Sequence, residues 1–127
     1  MVIRNRGIVM SAAAYVDRAA RRGVRLRDIL ANRLGLPARE AAPLAAHRVK
    51  VGAGTFDNIC RGRLKGIEAH INDTLKDALA RELCVEIERH ANELAQLLAD
   101  GADADSREVR EISSMVARLR SALGSEA

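Results

Sequence analysis

Residues Ala42–Lys65 read APLAAHRVKVGAGTFDNICRGRLK, and the reading of this stretch decides the fold. It divides into a short helix, a turn of small residues and a second short helix that closes in a basic cluster. Leu44, Ala45 and Val49 fall at helical spacing and predict the inner face of the first helix. Phe56, Ile59 and Cys60 do the same for the second. Pro43 suits a first helical position, where its missing N–H costs nothing. Ala46 is small where two steeply crossing helices must come close. Val51-Gly52-Ala53-Gly54 supplies what a sharp reversal needs. Spacing and chemistry together describe a helix-turn-helix.

The same residues resemble the helix-turn-helix of the phage-repressor family of bacterial DNA-binding proteins. That pattern has a small residue in the first helix, a turn, and then a segment like V-S-x-S-T-I-S-x-I-x-R-G. Val51 through Gly62 align with it without a gap, and the match covers about a fifth of the chain. Lys50 stands where the family usually has a turn glycine, and Gly52 and Gly54 stand where serines often contact phosphate. The second departure moves any contact there from hydroxyl to backbone N–H. The resemblance implies that a helix over Gly54–Arg61 enters the major groove of duplex DNA.

The 127 residues suffice for one small domain, or one with an appendage. There is no Trp, one Tyr (Tyr15) and one Phe (Phe56). Ala and Leu dominate instead, and long β-branched runs are absent, which favours an all-α chain. Single-strand binding relies on aromatic platforms that this composition lacks. Net charge is +4 and unevenly placed. Residues 1–65 hold 14 Lys/Arg and 4 Asp/Glu, whereas residues 66–127 hold 7 and 13. A basic half carrying the helix-turn-helix beside an acidic half suits attraction to phosphate.

Cys60 and Cys84 are too few for a disulfide framework or a zinc site, so a reduced, cytoplasmic setting is expected. Arg4 and Arg6 precede a short apolar run, Gly7–Val16, with arginines directly after it, which argues against a signal peptide. Residues 1–10 read as a disordered extension, with Met1 and Met10 both open as the start. No transmembrane span is expected.

Along the chain, Ser11 is an N-cap for a helix through Arg22 ended by Gly23, with Tyr15, Val16, Ala19 and Ala20 as its apolar stripe. A second helix spans Leu26–Leu34 and stops at Gly35. Pro37 opens a third, which either runs to Val49 or breaks near Pro43. Seven arginines decorate these elements: Arg18, Arg21, Arg22, Arg25, Arg27, Arg33 and Arg39. Sequence does not sort phosphate contacts from solvated surface among them.

Ile67–Asp100 lacks Pro and Gly and reads as one helix roughly 50 Å long. Ile67, Ile71, Leu75, Ala78 and Leu79 cluster on one face, closed by Glu82 and Glu86. Leu83, Ile87, Ala91, Leu94 and Leu98 cluster further round. Gly101 ends the helix, and Asp105 with Glu108 forms a capping box. Val109, Ile112, Val116, Leu119 and Leu123 then space as a heptad seam. Ile87, Leu94 and Leu98 can face that seam in an antiparallel helical hairpin, whose remaining apolar surface points to a homodimer.

No enzyme site is legible. Gly52-Ala53-Gly54-Thr55 lacks the lysine and length of a nucleotide-binding loop. His70 with Asp73 and Glu86 with His90 are one turn apart, a pattern commoner in surface contacts than in metal sites. No nucleophile has a matched base. Neither cofactor nor metal is expected.

The resulting expectation is an all-α chain: residues 1–65 a basic helix-turn-helix domain, residues 66–127 a long helix and an acidic, antiparallel C-terminal hairpin for dimerisation. It describes a sequence-specific double-stranded DNA-binding protein, most simply a dimeric transcriptional regulator of bacterial or phage type. Gly54, Thr55, Asp57, Asn58, Arg61, Arg63 and Lys65 are its candidate DNA contacts. The alternative is a helical interaction module, such as an antiactivator, assembly adaptor or phage DNA-packaging small subunit, acting through the hairpin.

Overall fold

A computed structural model describes residues 11–126, and within them all regular structure is helical. The order is α1 (Ala12–Leu34), α2 (Ala38–Val49), α3 (Ala53–Cys60), α4 (Ala69–Ala99) and α5 (Arg107–Glu126). The expected disordered extension, signal-peptide run and alternative start fall wholly or partly on residues 1–10, outside the described residues. No helix among the described residues is long and apolar enough to cross a membrane.

Ser11 caps α1 as expected, its hydroxyl accepting from Ala14 N at 3.1 Å. Gly23, expected to end that helix, does not. One helix of 23 residues runs through it to Gly35, which takes φ +67° and ends it. The physical reason is tertiary. Gly23 is buried, and a Cβ built on it lies 2.9 Å from Cys60 Sγ and 3.5 Å from Ile59 Cγ2. The glycine lets α3 approach α1, and that packing outweighs its low helix propensity.

α2 begins directly after Pro37 and continues past Pro43, which sits inside it rather than at its first position. Its buried face is Ala41, Ala45, Ala46 and Val49, while Leu44, expected inward, is 42% exposed. Ala41, Ala45 and Val49 lie four residues apart on one face, about 100° round the helix from Leu44, and the small residues there let α1 and α3 close on it.

Four helices stop in the same way. After α2, Lys50 N donates to His47 O and Val51 N to Ala46 O, both at 3.1 Å. After α3, Gly62 N reaches Ile59 O at 3.1 Å and Arg63 N reaches Asn58 O at 3.0 Å. Gly35 and Gly101 close α1 and α4 likewise, with Leu36 N on Ala31 O and Ala102 N on Leu97 O. This is the Schellman arrangement, which needs a left-handed residue. Glycine supplies it three times, and Lys50, at φ +64°, supplies it once.

The chain divides into two compact units between Leu79 and Ala80, further along than the change of charge after Lys65. In the first unit, α1, α2 and α3 each pack on the other two. Phe56 is fully buried there, as are Leu26, Leu30, Val49 and Ile59, and Leu75 and Leu79 from the first part of α4. Burying that one aromatic side chain contributes about 1.5–3 kcal/mol. Buried Arg22 donates from Nη1 to Asn72 Oδ1 at 3.2 Å, tying α1 to α4. Ile67, expected within the long helix, precedes it.

In the second unit the capping of α5 differs from expectation. Ser106, not Asp105, accepts from the helix, through Val109 N at 3.3 Å, while Asp103 Oδ1 accepts from Asp105 N at 2.9 Å. Glu82 and Glu86, expected to close an apolar face, are themselves buried. Glu86 Oε1 accepts from Arg89 Nη2 at 3.1 Å. A carboxylate taken out of water persists only with such donors.

Candidate nucleic-acid interface

α3 has two unlike faces. Phe56 and Ile59 are turned in and buried, and half-buried Cys60 meets Gly23. Burial raises the Cys60 thiol to about 11, against the pull of Arg27, so it stays protonated at neutral pH. At 100° per residue, Gly54, Asp57, Asn58 and Arg61 share the opposite face, with Thr55 at its edge. Gly54, Thr55, Asp57 and Arg61 are exposed, and Asn58 is half-buried. Arg61 Nε contacts Asp57 at 3.0 Å, one turn apart, with both side chains more than half exposed. A pair so wetted is held weakly. The fork of Arg61 therefore remains available to another acceptor.

The helix starts one residue earlier than expected, at Ala53, and the turn is Lys50–Gly52. Gly52 is its N-cap and has no side chain to offer. The first backbone bond of the helix is Phe56 N to Gly52 O. Ser11 on α1 and Ser106 on α5 cap their helices with hydroxyls, whereas α3 receives no side-chain cap. Its first N–H groups thus point into solvent with the positive end of the helix dipole behind them. Neither Gly52 nor Gly54 has a positive φ, and a Cβ on either meets nothing within 4 Å. The fold does not need glycine at these places.

Arg63 and Lys65 are exposed in the segment that follows Gly62, beyond the C-terminus of α3. Lys50 is a cation absent from the expected contacts. It is exposed directly ahead of α3, and its left-handed backbone holds it there. The signal for it was a lysine at a position that calls for glycine.

The expected dimerisation residues separate. Val109, Ile112 and Val116 are buried within the chain itself. Ile87, Leu94, Leu119 and Leu123 are half-buried, and Leu98 is 43% exposed. Leu94, Leu98 and Val116 come together with Ala91, Ala95, Ser113, Ala117 and Arg120 around an open groove of about 410 Å³. No cluster of three or more His, Cys, Asp or Glu that could hold a metal occurs among the described residues. His90, half-buried, lies 3.3 Å from Glu93 and 3.8 Å from Glu86 on its own helix.

Compared with protein-family models, with curated proteins and with solved structures, the chain matches none.

Proposed function

We propose that this protein is a sequence-specific double-stranded DNA-binding protein, most simply a dimeric transcriptional regulator of the phage-repressor-like helix-turn-helix class. In this reading α2, the turn at Lys50–Gly52 and α3 form the helix-turn-helix, and α3 lies in the major groove. The observation that carries it is the outer face of α3. Polar groups, an arginine fork and an uncapped start flanked by Gly52 and Gly54 lie together on it, on a helix whose other face is fully used in packing. Glycine in a helix costs up to about 1 kcal/mol against alanine. With no internal reason for it at Gly54, close approach of a phosphate backbone to the N–H groups supplies one.

Asn58 and Arg61 are assigned to base edges, Thr55 and the N–H groups at Gly54 to phosphate, and Arg63, Lys65 and Lys50 to phosphates on either side. Asp57 orients Arg61 or accepts from a cytosine amino group. The distal part of α4 and α5 form an antiparallel hairpin, and its open groove, with Leu94, Leu98 and Val116, is where a second copy joins the first. The deciding experiment is selection of sites from a random duplex library by wild type and by Arg61→Ala. Loss of about 1–3 kcal/mol on the selected site supports the assignment. Identical site preference and affinity for both proteins overturns it.

A second reading is favoured by that same groove and by exposed Leu98. The chain is then a helical interaction module, and DNA is not its ligand. Retention on duplex DNA that falls with salt separates the two, because only phosphate binding releases counterions.

A further inference from the structure

Seven arginines decorate α1 and the start of α2, and the structure sorts them. Arg22 is buried and bonded to Asn72. Arg27 pairs with Asp28 at 3.1 Å and lies near Cys60. Arg33 has a partner, and Arg39 is exposed on α2. Arg18, Arg21 and Arg25 are exposed and make no hydrogen bond or ion pair among the described residues. At 100° per residue they fall within one 60° sector of α1.

The direction of that sector is fixed by what α1 touches. Gly23 meets Cys60 and Ile59 of α3, and a Cβ on Gly62, just after α3, lies 4.0 Å from Ala20 Cβ. Ala20, Gly23 and Arg27 therefore mark the side of α1 turned to α3. The three arginines project about 160° away from it by the same rotation. Asp17 and Asp28 flank the row on the α3 side, and Asp28 is already engaged by Arg27. A duplex lying on the outer face of α3 is on the wrong side of α1 to meet them.

We propose that Arg18, Arg21 and Arg25 form a second phosphate-binding face, which holds a further segment of duplex DNA on the side of α1 opposite α3. The proposal rests on the reading of the chain as a DNA-binding protein. Over seven residues the row spans about 10 Å of helix axis, close to three phosphate steps along one strand. A protein partner needs apolar anchors at the centre of its contact. Between the arginines lie only half-buried Ala14 and exposed Asn32, with half-buried Ile29 and exposed Tyr15 along one edge, so the centre of the row lacks an apolar anchor and an acidic protein surface is the poorer fit. A single exposed aromatic, Tyr15, lies one turn before Arg18 at the edge of the row, whereas a single strand needs a succession of such platforms, which favours a duplex.

The test uses the full chain on bead-bound duplex, with a second fluorescent duplex of unrelated sequence offered in solution. Wild type should capture the second duplex, less so as salt rises. Combined Arg18→Gln, Arg21→Gln and Arg25→Gln, all on exposed helical positions, should keep one-duplex binding within about twofold and reduce capture at least about tenfold. Undiminished capture by this variant overturns the proposal, because a dimer bridging through two α3 faces alone would behave so. Failure of wild type to capture overturns it too, as does arginine-dependent binding of immobilised oligoglutamate without capture of duplex. Unchanged one-duplex binding by Arg61→Ala would instead defeat the assignment of α3. In that case loss of capture in the triple variant still supports the arginine row.

Discussion

Gly23 on α1 and Cys60 at the end of α3 approach so closely that a Cβ on the glycine would lie 2.9 Å from the cysteine Sγ. Gly→Ala in a helix ordinarily stabilises by about 0.5–1 kcal/mol. Here the sign should reverse, because the added Cβ meets that sulfur and also Ile59 Cγ2 at 3.5 Å and Phe56 Cε1 at 3.8 Å. Gly23→Ala should destabilise by about 1–3 kcal/mol in urea unfolding followed by circular dichroism. Adding Cys60→Ala removes the obstructing sulfur and should recover most of the loss. Additive effects would show that the two residues do not share a space.

The same thiol gives a pH dependence. Its folded value is raised to about 11 from an ordinary 9.0 by burial. Between these values the unfolded chain loses the proton and the folded chain keeps it, so stability should be full below pH 9 and fall as pH climbs towards 11. Cys60→Ala should flatten that decline. At pH 8 a thiol reagent should modify exposed Cys84 well before Cys60, a difference that mass spectrometry of the peptides would reveal.

Lys50 holds a left-handed backbone that glycine adopts without strain. Lys50→Gly should raise stability by about 0.5–1 kcal/mol, the opposite of most substitutions. If Lys50 also holds phosphate, the same variant should bind every duplex more weakly and lower the salt slope by about one unit. Thermal melting and salt titration read the two effects separately.

The Asp57–Arg61 pair sets a sign for DNA binding. Removing the carboxylate frees the guanidinium and takes a negative charge off the face assigned to DNA. Asp57→Asn should therefore tighten binding to unrelated duplexes by a few-fold, on the order of 1 kcal/mol or less. Weaker binding to all duplexes would mean that the aspartate is needed to hold Arg61 in place.

For the proposed dimer, light scattering of the full chain at micromolar concentration should give the mass of two copies. Leu98→Asp places a charge in the open groove at an exposed position and leaves buried Val109 and Ile112 in place. It should return the mass to one copy while leaving helical content intact. A wild-type mass of one chain defeats the dimer.

Much of this architecture was legible because local chemistry set it. Ser11 as a cap, Gly35 and Gly101 as stops, and Phe56 with Ile59 as an inward pair all depend on a few consecutive residues. What escaped was set at a distance. Gly23 has the signature of a stop, and only the presence of α3 across from it explains an uninterrupted helix. Leu44 looks inward beside Ala45, but the face that packs is centred on Ala41, Ala45 and Val49, about 100° round the helix from it. Glu82 and Glu86 look like the polar edge of a face, since no local pattern announces a buried carboxylate. On α3 the exposed residues followed from the helical period alone, whereas the Asp57–Arg61 contact depended on which rotamers the two side chains chose.

The recurrent ending of α1, α2, α3 and α4 bears on how the chain reaches this state. Each stop is written in about six successive residues and closes on hydrogen bonds that any isolated turn can form. These four stops can thus be drawn within about the first microseconds, before any helix has met another, whereas the run of α1 through Gly23 waits for α3. What remains is a search over arrangements of rods whose ends are set, with neighbours in sequence meeting first. Such a chain should fold in about microseconds to milliseconds. Its slowest ordering step is then the seating of α3 on the one notch in α1 that admits it.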